Sequence, residues 1–357
     1  MKRSDIQKKF SPIKLMIPII IGLGVVVWLF AKEFDPAVFS TIEWGSNTAF
    51  GFLGILLLVG LRLLGYTLRL RILSDGLLDW RRCFEIIILW SFASAISPSA
   101  VGGTALAIVI LSLEGLTIGK STAIAIATLL LDLIFFVVFS LIMYAVLGTD
   151  RFFGGEACGG GLGIQEKFGS FQYFFFLILG IMLIYLGLIF YAVFFNSNAL
   201  RGLLSWVFKL PFLKRFRAKA IQSVDDVDTS AAIFRTKPPK YFLALFGATM
   251  LTWTARFLLV NPVIASFVNL SMLDHVTLYA RNFVLWMVMI VPTTPGASGV
   301  SEVALSELIC EFVPDPALSP VVILVWRLFD YFLYLILGMI ILPRWLARVF
   351  KKKPKQA

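Results

Sequence analysis

The sequence predicts an all-α polytopic membrane protein, with six spanning helices and two Pro/Gly-broken re-entrant hairpins arranged as an inverted repeat. Three observations carry this expectation. The 357-residue chain is 59% hydrophobic and 15% charged, with a mean hydropathy of +0.90, whereas a soluble domain is nearer half apolar and a quarter charged. The apolar residues are gathered into long blocks. The basic residues are gathered into alternate segments between those blocks.

The spans follow in order. Leu15 to Ala31 is the first apolar block; it follows a basic start but lacks an A-x-A cleavage site, so it reads as an uncleaved helix. Phe50 to Leu68 is the second, interrupted by Arg62. Lys120 to Gly148 carries one charge between its ends, Asp132, and Phe171 to Phe195 carries none. Tyr241 to Phe267 carries Arg256, and Leu318 to Leu342 carries Arg327 and Asp330. At about 1.5 Å per residue each block is long enough to cross roughly 30 Å of hydrocarbon.

The net charge of +11 raises the question of nucleic acid, and its distribution answers it. Of 32 Lys and Arg residues, five lie in 1–14, four in 69–82, one in 113–120, nine in 196–240 and six in 343–357. The segments 32–48, 148–170 and 268–275 hold three between them. This is the positive-inside pattern. It places both termini and the 196–240 loop in the cytoplasm, in a bacterial inner membrane, and assigns the basic residues to anionic lipid rather than to nucleic acid.

Two apolar regions are too interrupted to cross. Between Cys83 and Leu113 the text Ser97-Pro98-Ser99-Ala100-Val101-Gly102-Gly103 breaks the helix, leaving arms of about 14 and 10 residues, or roughly 21 and 15 Å. Between Val276 and Phe312 the break is Pro292-Thr293-Thr294-Pro295-Gly296-Ala297-Ser298-Gly299. If the first region crossed once, the nine basic residues of 196–240 would lie outside. A hairpin that enters and returns keeps every basic loop inside. Non-helical backbone at this depth needs protein or a wet cavity around it. Each half also reads as a helix with an embedded Arg, a broken hairpin, and a helix with an embedded Asp. Arg62 to Pro98 and Arg256 to Pro292 are both 36 positions apart. The expected organisation is one membrane domain over 1–345, with halves at about 48–148 and 241–343, the loop 196–240 between them, and a basic tail at 346–357.

Ionisable residues inside a membrane are costly and mark function by default. Arg62, Arg256 and Arg327 are candidates to receive a lipid phosphate, which guanidinium matches bidentately. Ser97, Ser99, Thr293, Thr294 and Ser298 offer hydroxyls at the two breaks, and Gly102, Gly103, Gly296 and Gly299 offer backbone N–H groups at the starts of half-helices, where anions bind. The alternative for these residues is capping of their own broken backbone. Glu302 either caps its half-helix with Gly299 in the cap position or partners Arg256, Arg281 or a cationic headgroup. Asp132 and Asp330 are candidates to line a polar pathway or for proton or ion coupling, or else form fixed ion pairs with Arg62, Arg256 or Arg327; Arg327 and Asp330, three apart, are placed to pair with each other.

The aromatic and basic loop Asn196–Lys240 reads as lying on the inner leaflet, with docking of a soluble enzyme as the rival. No nucleotide loop, HExxH, CxxC or nucleophile elbow is visible, so no cofactor, metal or catalytic activity is expected. His275 reads as an interfacial residue near an outer loop.

The text Pro292 to Glu302, followed by Trp326-Arg327 and Gly338, resembles the membrane region of lysylphosphatidylglycerol synthases, shared by a broad set of flippase-like proteins. The stretch Ser97 to Gly103 with Glu114-Gly115-Leu116 resembles that family's earlier Pro/Gly motif. The resemblance implies a role in moving or handling phospholipids. In the fused synthases a cytoplasmic aminoacyl-transfer domain follows this region. Here fifteen residues follow Leu342, so the expectation is a stand-alone form that does not itself aminoacylate lipid. The expected function is translocation of an anionic phospholipid or lipid-linked substrate between leaflets. A secondary transporter of a small polar solute is the first rival. A membrane partner or anchor for a soluble or membrane lipid-modifying enzyme is the second. The oligomeric state is left open.

Overall fold

A computed structural model describes residues 45–97, 100–154, 171–194, 236–290, 294–313, 315 and 318–351. The first apolar block, the glycine-rich connector after Gly154 and nearly all of the 196–240 loop lie outside the described residues.

Among the described residues the protein is all helical. Helix α1 (Ser46–Leu73) ends at a Ser74-Asp75-Gly76 turn, and α2 (Trp80–Ile96) starts where the Asp79 carboxylate accepts from the Arg82 N–H at 2.9 Å. Helix α3 (Ala100–Leu113) returns alongside α2, and α4 (Ile118–Phe153) begins at a Thr117 cap. Helix α5 (Phe171–Phe194) holds no charged residue. The second half opens with α6 (Pro239–Phe257), led by a proline at its first turn, and a short α7 (Val260–Ala265). Helix α8 (Met272–Ile290) starts at a reciprocal cap: the Ser271 hydroxyl accepts from Asp274 N–H, and the Asp274 carboxylate accepts from Ser271 N–H. After the break come α9 (Val300–Ile309), α10 (Leu318–Arg327), a π-helical turn (Leu328–Phe332) and α11 (Leu333–Lys351).

Four of these stretches are long and apolar enough to cross a membrane: Ser46–Leu73, Ile118–Phe153, Pro239–Ala265 and Leu318–Phe350. They correspond to the second, third, fifth and sixth expected blocks. The arms of the first hairpin, 17 and 14 residues, are longer than expected because α2 runs back to Trp80 and α3 begins at Ala100, directly after the Pro98-Ser99 break. The arms are about 25 and 21 Å long, and neither is among the four long apolar stretches.

Packing between the halves is reciprocal. Helix α1 makes its broadest contact with α6; α2 packs on α11, and α8 packs on α4. Each hairpin's first arm therefore lies against the last helix of the other half. Ion pairs group the helix ends. Arg348, near the end of α11, bonds Glu85 in α2 (2.6 Å) and Glu114 just past α3. Asp75 bonds Lys120 at the start of α4 and Lys237 before α6 (2.6 Å). At the opposite end Arg281 pairs with Glu311 and donates to the Arg151 carbonyl at 2.9 Å. The outward faces of α1 and α5, with Phe50, Leu53, Leu57, Leu177 and Ile184, are exposed and apolar, as hydrocarbon contact requires.

Candidate functional site

Where the two hairpins approach each other, a partly open cavity of about 320 Å³ is lined by α1, α2, α3, α4, α6, α8, the end of α10, the π turn and the start of α11. Arg62, Arg69, Arg256 and Arg327 line it, with Asp132 and Asp330. Each polar side chain reaches it from a helix that is otherwise apolar, so each needs a partner.

Asp330 is the hub. Arg256 donates through Nε and Nη2 to its two carboxylate oxygens, both at 2.9 Å, and Arg62 Nη1 donates to Oδ1 at 2.7 Å. The Asp330 side chain is 3% exposed and that of Arg62 5%. The Arg62 guanidinium lies 4.4 Å from the centre of the Tyr334 ring. Asp132 accepts from Arg69 and, at 2.7 Å, from the Trp253 indole N–H; Arg69 also donates to Thr249. Arg327 donates to Glu302, to the Ser301 hydroxyl and to the Gly296 carbonyl at 3.0 Å.

Of the pairings open to Asp330, those with Arg62 and Arg256 form and the one with Arg327 does not. The turn between Arg327 and Asp330 is π-helical, which adds a residue to the turn and takes Asp330 off the face that Arg327 occupies. Asp330 meets Arg62 and Arg256 instead, and Arg327 meets Glu302. Glu302 therefore partners neither Arg256 nor Arg281. It also accepts from the Gly299 N–H at 2.7 Å, so the anion at the start of α9 is the protein's own carboxylate.

Of the other expected residues, Gly296 lines the cavity, with φ +61°, and a Cβ there would enter the Tyr331 ring. Gly103 lets α3 approach Ser94 of α2; a Cβ would meet Ser94 Oγ and backbone. Gly102 lies in the first turn of α3. Ser97, Thr294, Ser298 and Gly299 do not line the cavity. Ser97 donates to the Ala93 carbonyl and Thr294 to the Ser298 carbonyl, closing their own breaks. Ser99 and Thr293 lie outside the described residues.

Sequence reasoning missed Arg69, Tyr334, Ser94 and Thr104, all of which line the cavity. Arg69 opens the basic segment 69–82, yet its side chain is 4% exposed. The signal was its spacing: Arg62, Tyr66 and Arg69 lie on one face of α1 at three to four residues apart. The tyrosine, serine and threonine carried no comparable sign.

Beyond the cavity the core is aromatic. Along α4 from the Asp75 end come Ala125, Thr128 and Asp132 at the cavity, then Phe135 and Phe136 in the core. Phe136 stacks on Trp286 at 3.7 Å between ring centres, and Phe283 and Phe257 close the group. The cavity thus lies on the Arg348 side of an aromatic seal.

Among the described residues no cluster of His, Cys, Asp and Glu is suited to a metal ion. Fold and site together define an integral membrane protein with a buried, arginine-rich polar cavity between broken helices. The family described as "Lysylphosphatidylglycerol synthase TM region" matches residues 15–338, and this chain belongs to it. The chain is also similar to a "UPF0104 membrane protein" of Archaeoglobus fulgidus, 24% identical over 347 residues, covering 91% of this chain and 95% of that one. No solved structure matches it.

Proposed function

We propose that this protein carries the headgroup of an anionic lipid between the two leaflets while the acyl chains stay in hydrocarbon. The observation that carries the reading is the cavity itself. Three buried guanidiniums, those of Arg62, Arg69 and Arg327, and the partly buried one of Arg256 line a volume of about 320 Å³, at the small end of ligand pockets, which admits a headgroup and leaves no room for two chains.

The topology that goes with this reading has six spans and two hairpins that enter and return, related as an inverted repeat. Two observations support it. Arg348 bonds residues at both ends of the α2–α3 hairpin, and the contacts of the two halves are reciprocal. With the Arg348 end in the cytoplasm, where the positive-inside rule puts it, the cavity faces inward and the aromatic group seals the outer side. Asp330 then serves to hold Arg62 and Arg256 in register for a phosphate, and Asp132 does the same for Arg69. No catalytic step is assigned to any of them.

Reconstitution tests the reading. Purified protein in liposomes with fluorescent phosphatidylglycerol in both leaflets is exposed to dithionite. The wild type should bleach beyond the protein-free half, and Arg256→Gln should return to the protein-free level. Wild-type bleaching that stops at the protein-free level for several headgroups, with folded protein, would move the assignment to a solute carrier or a non-transporting partner.

A further inference from the structure

The charges around the cavity do not balance, and the imbalance carries information about the ligand. Among the described residues, four guanidiniums, those of Arg62, Arg69, Arg256 and Arg327, face three carboxylates, those of Asp132, Asp330 and Glu302. Arg69 has Asp132 and Arg327 has Glu302. Arg62 and Arg256 share Asp330 alone. Arginine does not shed its proton in a protein, so the surplus is one fixed positive charge. It is shared between Arg62, whose side chain is buried with that of Asp330, and the partly buried Arg256, and an uncompensated charge at such a place is unfavourable.

A second observation falls at the same place. The Tyr334 hydroxyl is buried and has no hydrogen-bond partner among the described residues, and the same is true of Arg62 Nε; Tyr334 is 2% exposed and lines the cavity. Buried polar groups in proteins are nearly always satisfied. A donor of this kind beside a surplus guanidinium is what one more oxyanion would complete.

We infer that the cavity is matched to a single negative charge: it takes a phosphodiester, seated against Arg62, Arg256 and Tyr334, and discriminates against doubly charged phosphomonoesters. This rests on reading the cavity as a headgroup site and adds the charge number of the headgroup. A monoanion neutralises the site. A dianion overshoots it and places a net negative charge in a region of low dielectric.

Three tryptophans, Trp90, Trp253 and Trp286, line the cavity, so their fluorescence reports occupancy. The purified protein in detergent is titrated with dioctanoyl phosphatidylglycerol, with dioctanoyl phosphatidic acid at an alkaline pH where it is doubly charged, with glycerophosphoglycerol and with inorganic phosphate. The wild type should bind phosphatidylglycerol at least about tenfold more tightly than phosphatidic acid, the scale of one charge-assisted contact. Arg62→Gln should lose phosphatidylglycerol binding by about the same factor. Asp132→Asn and Asp330→Asn each add one positive charge to the site and should reverse the order in favour of phosphatidic acid. Two such variants are used so that a folding failure in one leaves the other to decide. A wild type that prefers the dianion, or asparagine variants with an unchanged ratio, overturns the inference. Glycerophosphoglycerol binding as tightly as the lipid would keep the charge number and remove the lipid from the proposed function. Selective lipid binding without dithionite-accessible transport would likewise keep this inference and end the translocation reading.

Discussion

Asp330 accepts from two arginines contributed by different halves of the chain, and its side chain is almost fully buried. Taking away its charge leaves both guanidiniums without their shared counter-ion, and breaking a buried pair of this kind costs about 3–5 kcal/mol. Asp330→Asn should therefore lower the thermal midpoint in detergent by much more than Arg81→Ala, whose pair with Glu85 lies at an 85% exposed side chain and is expected to shift stability by no more than about 0.5 kcal/mol. Equal midpoints for the two variants would remove Asp330 as the hub. At the Arg348 end, Asp75 offers a pH-dependent contrast. Burial pushes its carboxyl up, but hydrogen bonds and charge from Lys120 and Lys237 outweigh this and hold it below the ordinary value of 3.8. A depressed carboxylate contributes stability that is whole above the unfolded value and lost as pH falls through the folded one. The gap in unfolding temperature between wild type and Asp75→Asn should be constant near neutrality and shrink below about pH 4. A gap that persists at the acid limit would mean that charge is not its source. The charged residues Arg62, Arg256, Arg327, Asp132 and Asp330 were legible in the sequence because charge stands out against apolar text. Arg62 and Arg256 stood among the possible partners of Asp330, but the choice between them and Arg327 was not legible, since it depends on how α1 and α6 face the π turn.

At the scale of elements, the two breaks are shaped by close approach. Gly103 brings α3 onto Ser94 of α2, and Gly296 lies against the Tyr331 ring with a left-handed backbone. Gly103→Ala forces the arms apart, an overpacking change of about 1–3 kcal/mol. Gly296→Ala adds the left-handed penalty and a clash with Tyr331, whose hydroxyl donates to the Ala95 carbonyl of α2. Gly296→Ala should be the more destabilising of the two, and a milder effect than that of Gly103→Ala would show that the turn can rearrange freely. The existence of both breaks was readable from proline and glycine. The lengths of the arms and the π turn were not, because helix ends follow capping and packing that local text does not display.

At the scale of the whole molecule, the proposed orientation is open to labelling from each side. Asp79 and Met272 are exposed residues at opposite ends of the helical bundle, just before α2 and at the start of α8. A cysteine at Asp79 should react with an impermeant maleimide only in inside-out vesicles, and one at Met272 only in right-side-out vesicles. Reaction of both from the same side would defeat the proposed topology. The alternation of basic segments is the sequence signal for this proposed orientation, whereas the reciprocal seating of each hairpin against the far half rests on contacts between residues far apart in the chain, which no local text displays. Those contacts bear on biosynthesis. The α2–α3 hairpin leaves the ribosome early, yet some of the residues that fasten it, Trp345 and Arg348 on Glu114 and Gly338 against Phe92, belong to α11, made much later. Until then the hairpin is seated mainly on α1 and α4, and the face of α2 that will meet α11 has to be sheltered by lipid or by the membrane-insertion machinery.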